Sequence, residues 1–251
     1  MILNSLLLCS LASARLSDHA QLFQLIPPLL DHECPNFSVA SQMGTINLHD
    51  HIRDSWAVIF TVPSTFDPVH SSEIGAAAQL KEEFGERNCK LLAIALGSQE
   101  QCDHWLQDAA ETQEVSVNFP VIPDEDGEIH RMFGMIPPEA PIGEATIFKR
   151  PFSSLVIVDE ALVVKAQTIY PATLGHNFFE AIRCLEALQT SHHAKVGCPS
   201  NWACGEDCFI NEDVSSIAAN DLFKKGFAEI LPYFRITPMP DLPEGLGKQL
   251  D

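Results

Sequence analysis

Hydrophobic and polar positions change period several times along the chain, and each change marks an element. Trp56-Ala-Val-Ile-Phe-Thr-Val62 is almost continuously apolar, the pattern of a strand covered on both faces. Pro63-Ser-Thr-Phe-Asp67-Pro-Val follows as a turn. Ile74, Ala77, Ala78, Leu80 and Phe84 then fall on one helical stripe. Ser71 and Ser72 stand where they would cap that helix, and Glu73 where it would complement the dipole. His70 thus lies where a buried strand delivers the chain onto a helix N-terminus. That geometry favours an anion and suits a reactive cysteine thiolate.

Strand and helix signals alternate through the rest of the first two hundred residues. Gly44 to Asp50 reads as a short strand ending in a polar turn, and Cys89 to Leu96 as a second buried strand. Gln99 to Ala110 predicts a helix, Phe119 to Gly127 a strand running into a turn, and Ile129 to Met135 a helical turn before the proline-rich loop Ile136 to Ile142. Ser154 to Val158 and Leu162 to Ile169 read as adjacent strands around Asp159-Glu160. Asn177 to Leu188 reads as an amphipathic helix through Phe178, Ile182, Leu185 and Leu188. This order predicts an α/β fold of three layers with a mixed sheet. From about Ala194 the periodicity gives way to Cys, Gly, Pro and Trp. Asn220 to Pro238 predicts a short helix and an extended arm, which must pack on the first domain or on a partner subunit. The expected organisation is a domain over residues 29–193 and a smaller one over 194–251.

Composition narrows the function classes. The 251 residues are 46% hydrophobic and 20% charged, enough for a full core. A net charge of −19 argues against a nucleic-acid partner, which calls for a basic face, and against electrostatic binding to anionic membranes. Residues 1–14 carry an apolar run too short to span a bilayer and end in Ala12-Ser-Ala14, as in a secretory signal, although a basic segment before the run is missing. The expectation is a secreted chain, or a cytoplasmic one if that signal does not function, with no transmembrane segment.

Of the eight cysteines, Cys9 lies in the signal and seven follow. An odd number leaves one thiol free or paired between chains. Cys198, Cys204 and Cys208 are spaced unlike a zinc motif, even with His192 or His193 nearby. A local disulfide or buried thiols remain the two alternatives there.

The turn after the first buried strand resembles the active-site segment of peroxiredoxins: Pro, three residues, Thr or Ser, two residues, then the peroxide-attacking Cys. Pro63 matches, Asp67 stands at the Thr position and His70 at the Cys position. Cys34-Pro-Asn-Phe37, Leu48-His49-Asp50, Asp54-Ser-Trp56, Phe119-Pro-Val-Ile-Pro-Asp124, Tyr170-Pro-Ala-Thr173, Gly175, Asn177-Phe178 and Tyr233-Phe-Arg-Ile-Thr-Pro238 extend the likeness over most of the chain. They resemble the one-cysteine branch in particular. The resemblance implies a thioredoxin-like domain, a C-terminal dimerisation domain and a homodimer. It also implies thiol-dependent reduction of hydrogen peroxide and organic hydroperoxides, without a cofactor. The family's catalytic Arg falls at Ser153, with Arg150 near but out of register, and a second Arg falls at His176. With Cys, Thr and both Arg positions altered, the expectation is a catalytically degenerate homologue with a binding or interaction role around a small-molecule pocket.

Three alternatives use other residues. A relocated thiol would keep the peroxidase active, and Cys34 is the accessible candidate beside Cys89 and Cys102. Ser55 in Arg53-Asp-Ser-Trp-Ala57, with His49, resembles the phospholipase A2-like site of some one-cysteine members, whose Asp falls near Ala161, with Asp159 close by. Asp67 and His70 with His49 or His51 have zinc or iron ligand chemistry. A hydrogen bond between Asp67 and His70 accounts for the same residues, and no metal is expected.

Overall fold

A computed structural model describes residues 29–136 and 151–243. The signal of residues 1–14, Arg150 and the loop beyond Ile136 lie outside the described residues. The chain begins with a hairpin of β1 (Ser38–Ser41) and β2 (Gly44–Asn47), followed by a short helix α1 (Leu48–Ile52). Asn47 starts that helix by accepting the Asp50 N–H on its side chain. The polar turn expected at Leu48 to Asp50 is thus a helical turn.

β3 (Trp56–Val62) is buried at every position and forms the middle of a five-stranded sheet. β4 (Cys89–Leu96) runs parallel to it, with Trp56 opposite Cys89 and Val62 opposite Ala95, and β5 (Val121–Asp124) runs parallel to β4. On the other side β6 (Ser153–Val158) and β7 (Val164–Tyr170) are antiparallel, giving the order β5-β4-β3-β6-β7. The sheet is mixed, as the pattern predicts. Period-two alternation splits β3 between two cores. Val58, Phe60 and Val62 pack with Ile74, Trp105, Phe178 and Leu185, while Ala57 and Ile59 pack with Leu48, Ile52, Phe133 and Val158.

Helices cover both faces. α2 (Pro68–Gln79) breaks at Leu80 and restarts as α3 (Lys81–Gly85), so Phe84 belongs to a second helix rather than to one long stripe. α4 (Gln99–Gln113) opens on a capping box between Ser98 and Gln101, and α5 (Glu128–Met132) follows β5. α6 (Phe178–Ala194) starts at the Asn177 cap as expected but runs six residues past Leu188, because Gln189 and Thr190 are buried in it. The link that holds α6 to the end of α3 is Arg87. Its Nε donates to Glu186 Oε1 at 2.8 Å and its Nη1 to Glu83 Oε2 at 2.9 Å, with the side chain fully buried.

The remainder forms a second sheet of β8 (Val196–Gly197), β9 (Cys208–Ile210), β10 (Ala228–Leu231) and β11 (Phe234–Thr237), ordered β10-β11-β9-β8, with α7 (Ser216–Leu222) packed beside it. Val196, Trp202, Cys208, Ile210 and Phe223 make its own apolar cluster. The segment expected as an extended arm is a hairpin, since β10 and β11 pair with each other and β11 pairs with β9.

Candidate functional site

His70 is the third residue of α2, because the helix starts earlier than Ser71. Asp67 is its N-cap, accepting the Val69 N–H at 2.9 Å, and Pro68 occupies the first helical position, where a missing N–H costs nothing. Ser71 and Ser72 are not caps. Their hydroxyls donate backwards to the carbonyls of Asp67, at 2.9 Å, and Val69, at 2.6 Å. The indole N–H of Trp105 on α4 donates to Ser71 Oγ at 2.9 Å and fixes the first turn of α2 against that helix.

The expected bond between Asp67 and His70 is replaced by another. His70 Nδ1 lies 2.8 Å from Glu73 Oε2, one helical turn along, and both side chains are buried. Glu73 does not sit in water complementing a dipole. Its other oxygen, Oε1, accepts from His176 Nδ1 at 2.8 Å and from the His176 backbone N–H at 2.7 Å. One carboxylate therefore joins α2 to the loop before α6. His176 stacks on Tyr170 at the end of β7, with centroids 4.8 Å apart and planes 20° from parallel. Ser153, at the start of β6, places its Oγ 3.4 Å from His176 Nδ1 and 3.1 Å from the Thr61 carbonyl, to which it donates. Of the residues singled out in the sequence, His70, Ser153 and His176 are brought together through Glu73. Pro63 is buried directly after β3, and Asp67 caps α2.

Glu73 itself was not legible as part of this group. Its spacing of three from His70 on a helix is the one local signal that pairs them.

Burial would raise the pKa of Glu73, but hydrogen bonds from His176 and His70 outweigh it and hold the carboxyl below its ordinary value. An ionised carboxylate only accepts, so both Nδ1 atoms carry protons. The Nε2 atoms of His70 and His176 are buried and have no partner among the described residues. This arrangement can accept hydrogen bonds and hold or exchange protons. It contains no thiol.

Cys34, Cys89 and Cys102 are poor substitutes. Cys34, the candidate expected to be accessible, is 1% exposed, and burial pushes its pKa up to about 12. Burial does the same to Cys102, and raises buried Cys89 as well. Reactive cysteines need the opposite environment. Ser55 and His49 are not assembled into a nucleophile and base. Ser55 Oγ donates to the Ile52 carbonyl at 2.8 Å, His49 Nε2 donates to the Cys34 carbonyl at 2.7 Å, and no hydrogen bond joins the two among the described residues. Asp159 accepts the N–H groups of Ala161 and Val163, at 3.0 and 2.9 Å, holding the β6–β7 turn. Among the described residues no group of three or more His, Cys, Asp or Glu side chains is arranged to hold a metal ion. His51 is not drawn into the group around His70, and its carbonyl receives the Lys90 ammonium. His192 packs edge-on against Trp56. No helix among the described residues is long and apolar enough to cross a membrane.

Comparison with known proteins places this site in context. Residues 30–167 match the AhpC/TSA family. The chain is 39% identical over 207 residues to a 1-Cys peroxiredoxin of Dictyostelium discoideum, covering 82% of this chain and 83% of that one. It is 34% identical over 226 residues to peroxiredoxin-6 of Gallus gallus, covering 85% and 98%. Among solved structures, the yeast mitochondrial 1-Cys peroxiredoxin superposes with a TM-score of 0.77 at 32% identity, over 83% of this chain and 98% of that one. A Cys-to-Ser mutant of peroxiredoxin 6 from Arenicola marina gives 0.74 at 30% identity, over 84% and 98%. With the mixed sheet, the flanking helices and these matches in agreement, the chain belongs to the AhpC/TSA family, as a thioredoxin-fold relative of the one-cysteine peroxiredoxins.

Proposed function

We propose that this chain is a catalytically degenerate peroxiredoxin, which keeps the family's scaffold for a binding or interaction role. The observation that carries the reading is His70. The residue at the motif's cysteine position is a buried imidazole committed to Glu73. Peroxide reduction in this family needs a thiolate that attacks the O–O bond and becomes a sulfenic acid, and an imidazole has no sulfur to oxidise. Ser153 and His176, at the positions matched to arginines, supply a hydroxyl and an imidazole where a guanidinium would polarise peroxide. What remains are the Nε2 atoms of His70 and His176, buried and without a partner among the described residues, as the polar atoms a small ligand would meet.

The same reading extends to a secreted homodimer with a dimerisation domain over residues 194–251. Exposed Ile169 on the edge strand β7, together with exposed Leu174 and Phe179 just beyond it, supports an association surface. The test is peroxide consumption by the reduced protein (residues 15–251), with its intact mass taken after peroxide. The expected result is turnover no faster than free cysteine and no gain of one oxygen on a single Cys. Turnover well above free cysteine would overturn the proposal and direct attention to a substitute thiol.

A further inference from the structure

The second sheet holds a pair of cysteines that the His70 site does not use. β8 and β9 are antiparallel, with Val196 opposite Ile210 and Gly197 opposite Phe209. The Asn211 N–H donates to the Lys195 carbonyl at 3.2 Å, one step earlier in the same register. Continued one step past the last paired residues, that register brings Cys198 opposite Cys208. Because hydrogen-bonded and non-hydrogen-bonded positions alternate along an antiparallel pair, the Lys195/Asn211 bond makes Cys198/Cys208 a non-hydrogen-bonded position. Opposed residues there approach to about 4.5 Å between Cα atoms, and their side chains lie closer than at the alternate sites. A disulfide spans about 4.4–6.8 Å between Cα atoms, so the backbone already sits within its reach. Val196, Ile210 and Cys208 turn the same face into the third apolar cluster, and half-buried Cys198 packs against it.

Side-chain contacts agree with the backbone. Cys198 and Cys208 perturb each other, Cys198 lowering the Cys208 thiol and Cys208 raising that of Cys198, while their S–H groups donate to the carbonyls of Ala187, at 3.5 Å, and Glu206, at 3.8 Å. The third cysteine of the cluster is turned elsewhere: Cys204 Sγ lies 3.9 Å from Met239 Sδ.

We propose that Cys198 and Cys208 are a redox site, two thiols that a low-molecular-weight disulfide such as glutathione disulfide converts to a cross-strand disulfide. Half-buried Cys198 exchanges first because it is the one of the pair that solution reaches, Cys208 being buried. Its sulfur gives up its proton and attacks one glutathione sulfur, and the other glutathione leaves as a thiolate. The Cys208 thiolate then attacks the Cys198 sulfur and releases the second glutathione. Two cysteine thiols lose two electrons and two protons, and one glutathione disulfide becomes two glutathione thiols. The bridge closes the loop that carries Trp202 and pins it at the β8 edge of the second sheet, beside the end of α6, where Cys198 Sγ meets the Ala187 carbonyl at 3.5 Å.

The test holds the full protein in glutathione buffers of increasing oxidised fraction, blocks remaining thiols with iodoacetamide, and maps the peptides without reduction. Cleavage after Glu206 separates Cys208 from the other two cysteines, and cleavage after Trp202 separates those two. The expected product is a Cys198–Cys208 linked peptide pair that dithiothreitol releases. It persists in Cys204→Ser and disappears in Cys198→Ser. Alkylation of both cysteines at every buffer ratio would overturn the proposal, and so would a dominant link through Cys204. The wild-type and Cys204→Ser maps decide the matter even if a serine at buried position 208 prevents folding.

Discussion

His70 Nδ1 donates to Glu73 Oε2 at 2.8 Å, one turn apart on α2, in a place that water does not reach. That bond and its counterpart from His176 depend on an ionised Glu73, whose pKa they hold below the ordinary 4.5 against the opposing effect of burial. A depressed folded-state pKa means that the unfolded chain takes up the proton first as pH falls. The stabilisation is therefore complete above the ordinary value and is lost as pH falls through the lowered one. Glu73→Gln should cost about 2 kcal/mol at neutral pH, the scale for removing a buried charged acceptor. Melting temperatures of parent and variant, compared from pH 7 down to about pH 3, should converge at the acid end. A gap that stays constant over that range would mean that Glu73 is not ionised in the folded protein.

The same carboxylate decides what a restored cysteine can do. His70→Cys alone places a thiol beside Glu73, where a like charge disfavours the thiolate. That single variant should consume peroxide no faster than free cysteine at pH 7. Adding Ser153→Arg supplies a cation near Glu73 and His176, and a one-unit fall in the thiol pKa gives about tenfold more thiolate. Stopped-flow peroxide kinetics on the two variants should show a gain of at least that size in the pair. Equal rates would mean that the arginine position is not the one which activates the thiol.

Elements with a strong period were legible in the sequence, and the site was legible only in part. β3 and β4 announce themselves because nearly every position is apolar, Thr61 and Lys90 being the exceptions. Two serines that look like caps point to a start of α2 four residues too late, and Asp67-Pro68 is the better signal: an acceptor side chain before a proline that needs no N–H. Ser153 and His176 were placed by counting from matched motifs, and they do lie together. Glu73 resisted because an acid near the start of a helix ordinarily faces water. It is buried because its second partner, His176, comes from a loop 103 positions away, and no local pattern carries that. The hairpin of β10 and β11 was read as an arm for a similar reason, since strand pairing is a non-local property.

Gly75 on α2 lies against Gln113 at the end of α4. A Cβ there would meet Gln113 Cγ at 2.6 Å and Cβ at 2.7 Å, distances that real side chains do not adopt. Gln113 is the last residue of α4, so it can withdraw only in part. Gly75→Ala should lower stability by about 1–3 kcal/mol through overpacking, despite the better helix propensity of alanine. Gly85→Ala, where an added Cβ meets nothing within 4 Å, should stabilise or leave the protein unchanged. Urea unfolding of both variants checks the contrast, and equal midpoints would show that the two helices separate readily.

Arg87 is a cation wholly removed from water. Its guanidinium is fully buried and bonds Glu186 and Glu83, while its carbonyl accepts from Gln189 Nε2 at 2.7 Å. Burial raises the pKa of Glu186, and Arg87 opposes that shift. Removing the cation leaves Glu186 buried beside the half-exposed Glu83 with nothing to balance them. Breaking one side of a buried pair costs about 3–5 kcal/mol, so Arg87→Ala should destabilise the protein by that order at pH 7. Lowering the pH should recover part of the loss, because a protonated Glu186 no longer needs a counter-charge. The double variant Arg87→Met with Glu186→Leu removes both charges and should lie well above Arg87→Ala in denaturant midpoint. If the single and double variants unfold together, the pair contributes by packing alone, and α6 is held to α3 by its apolar face.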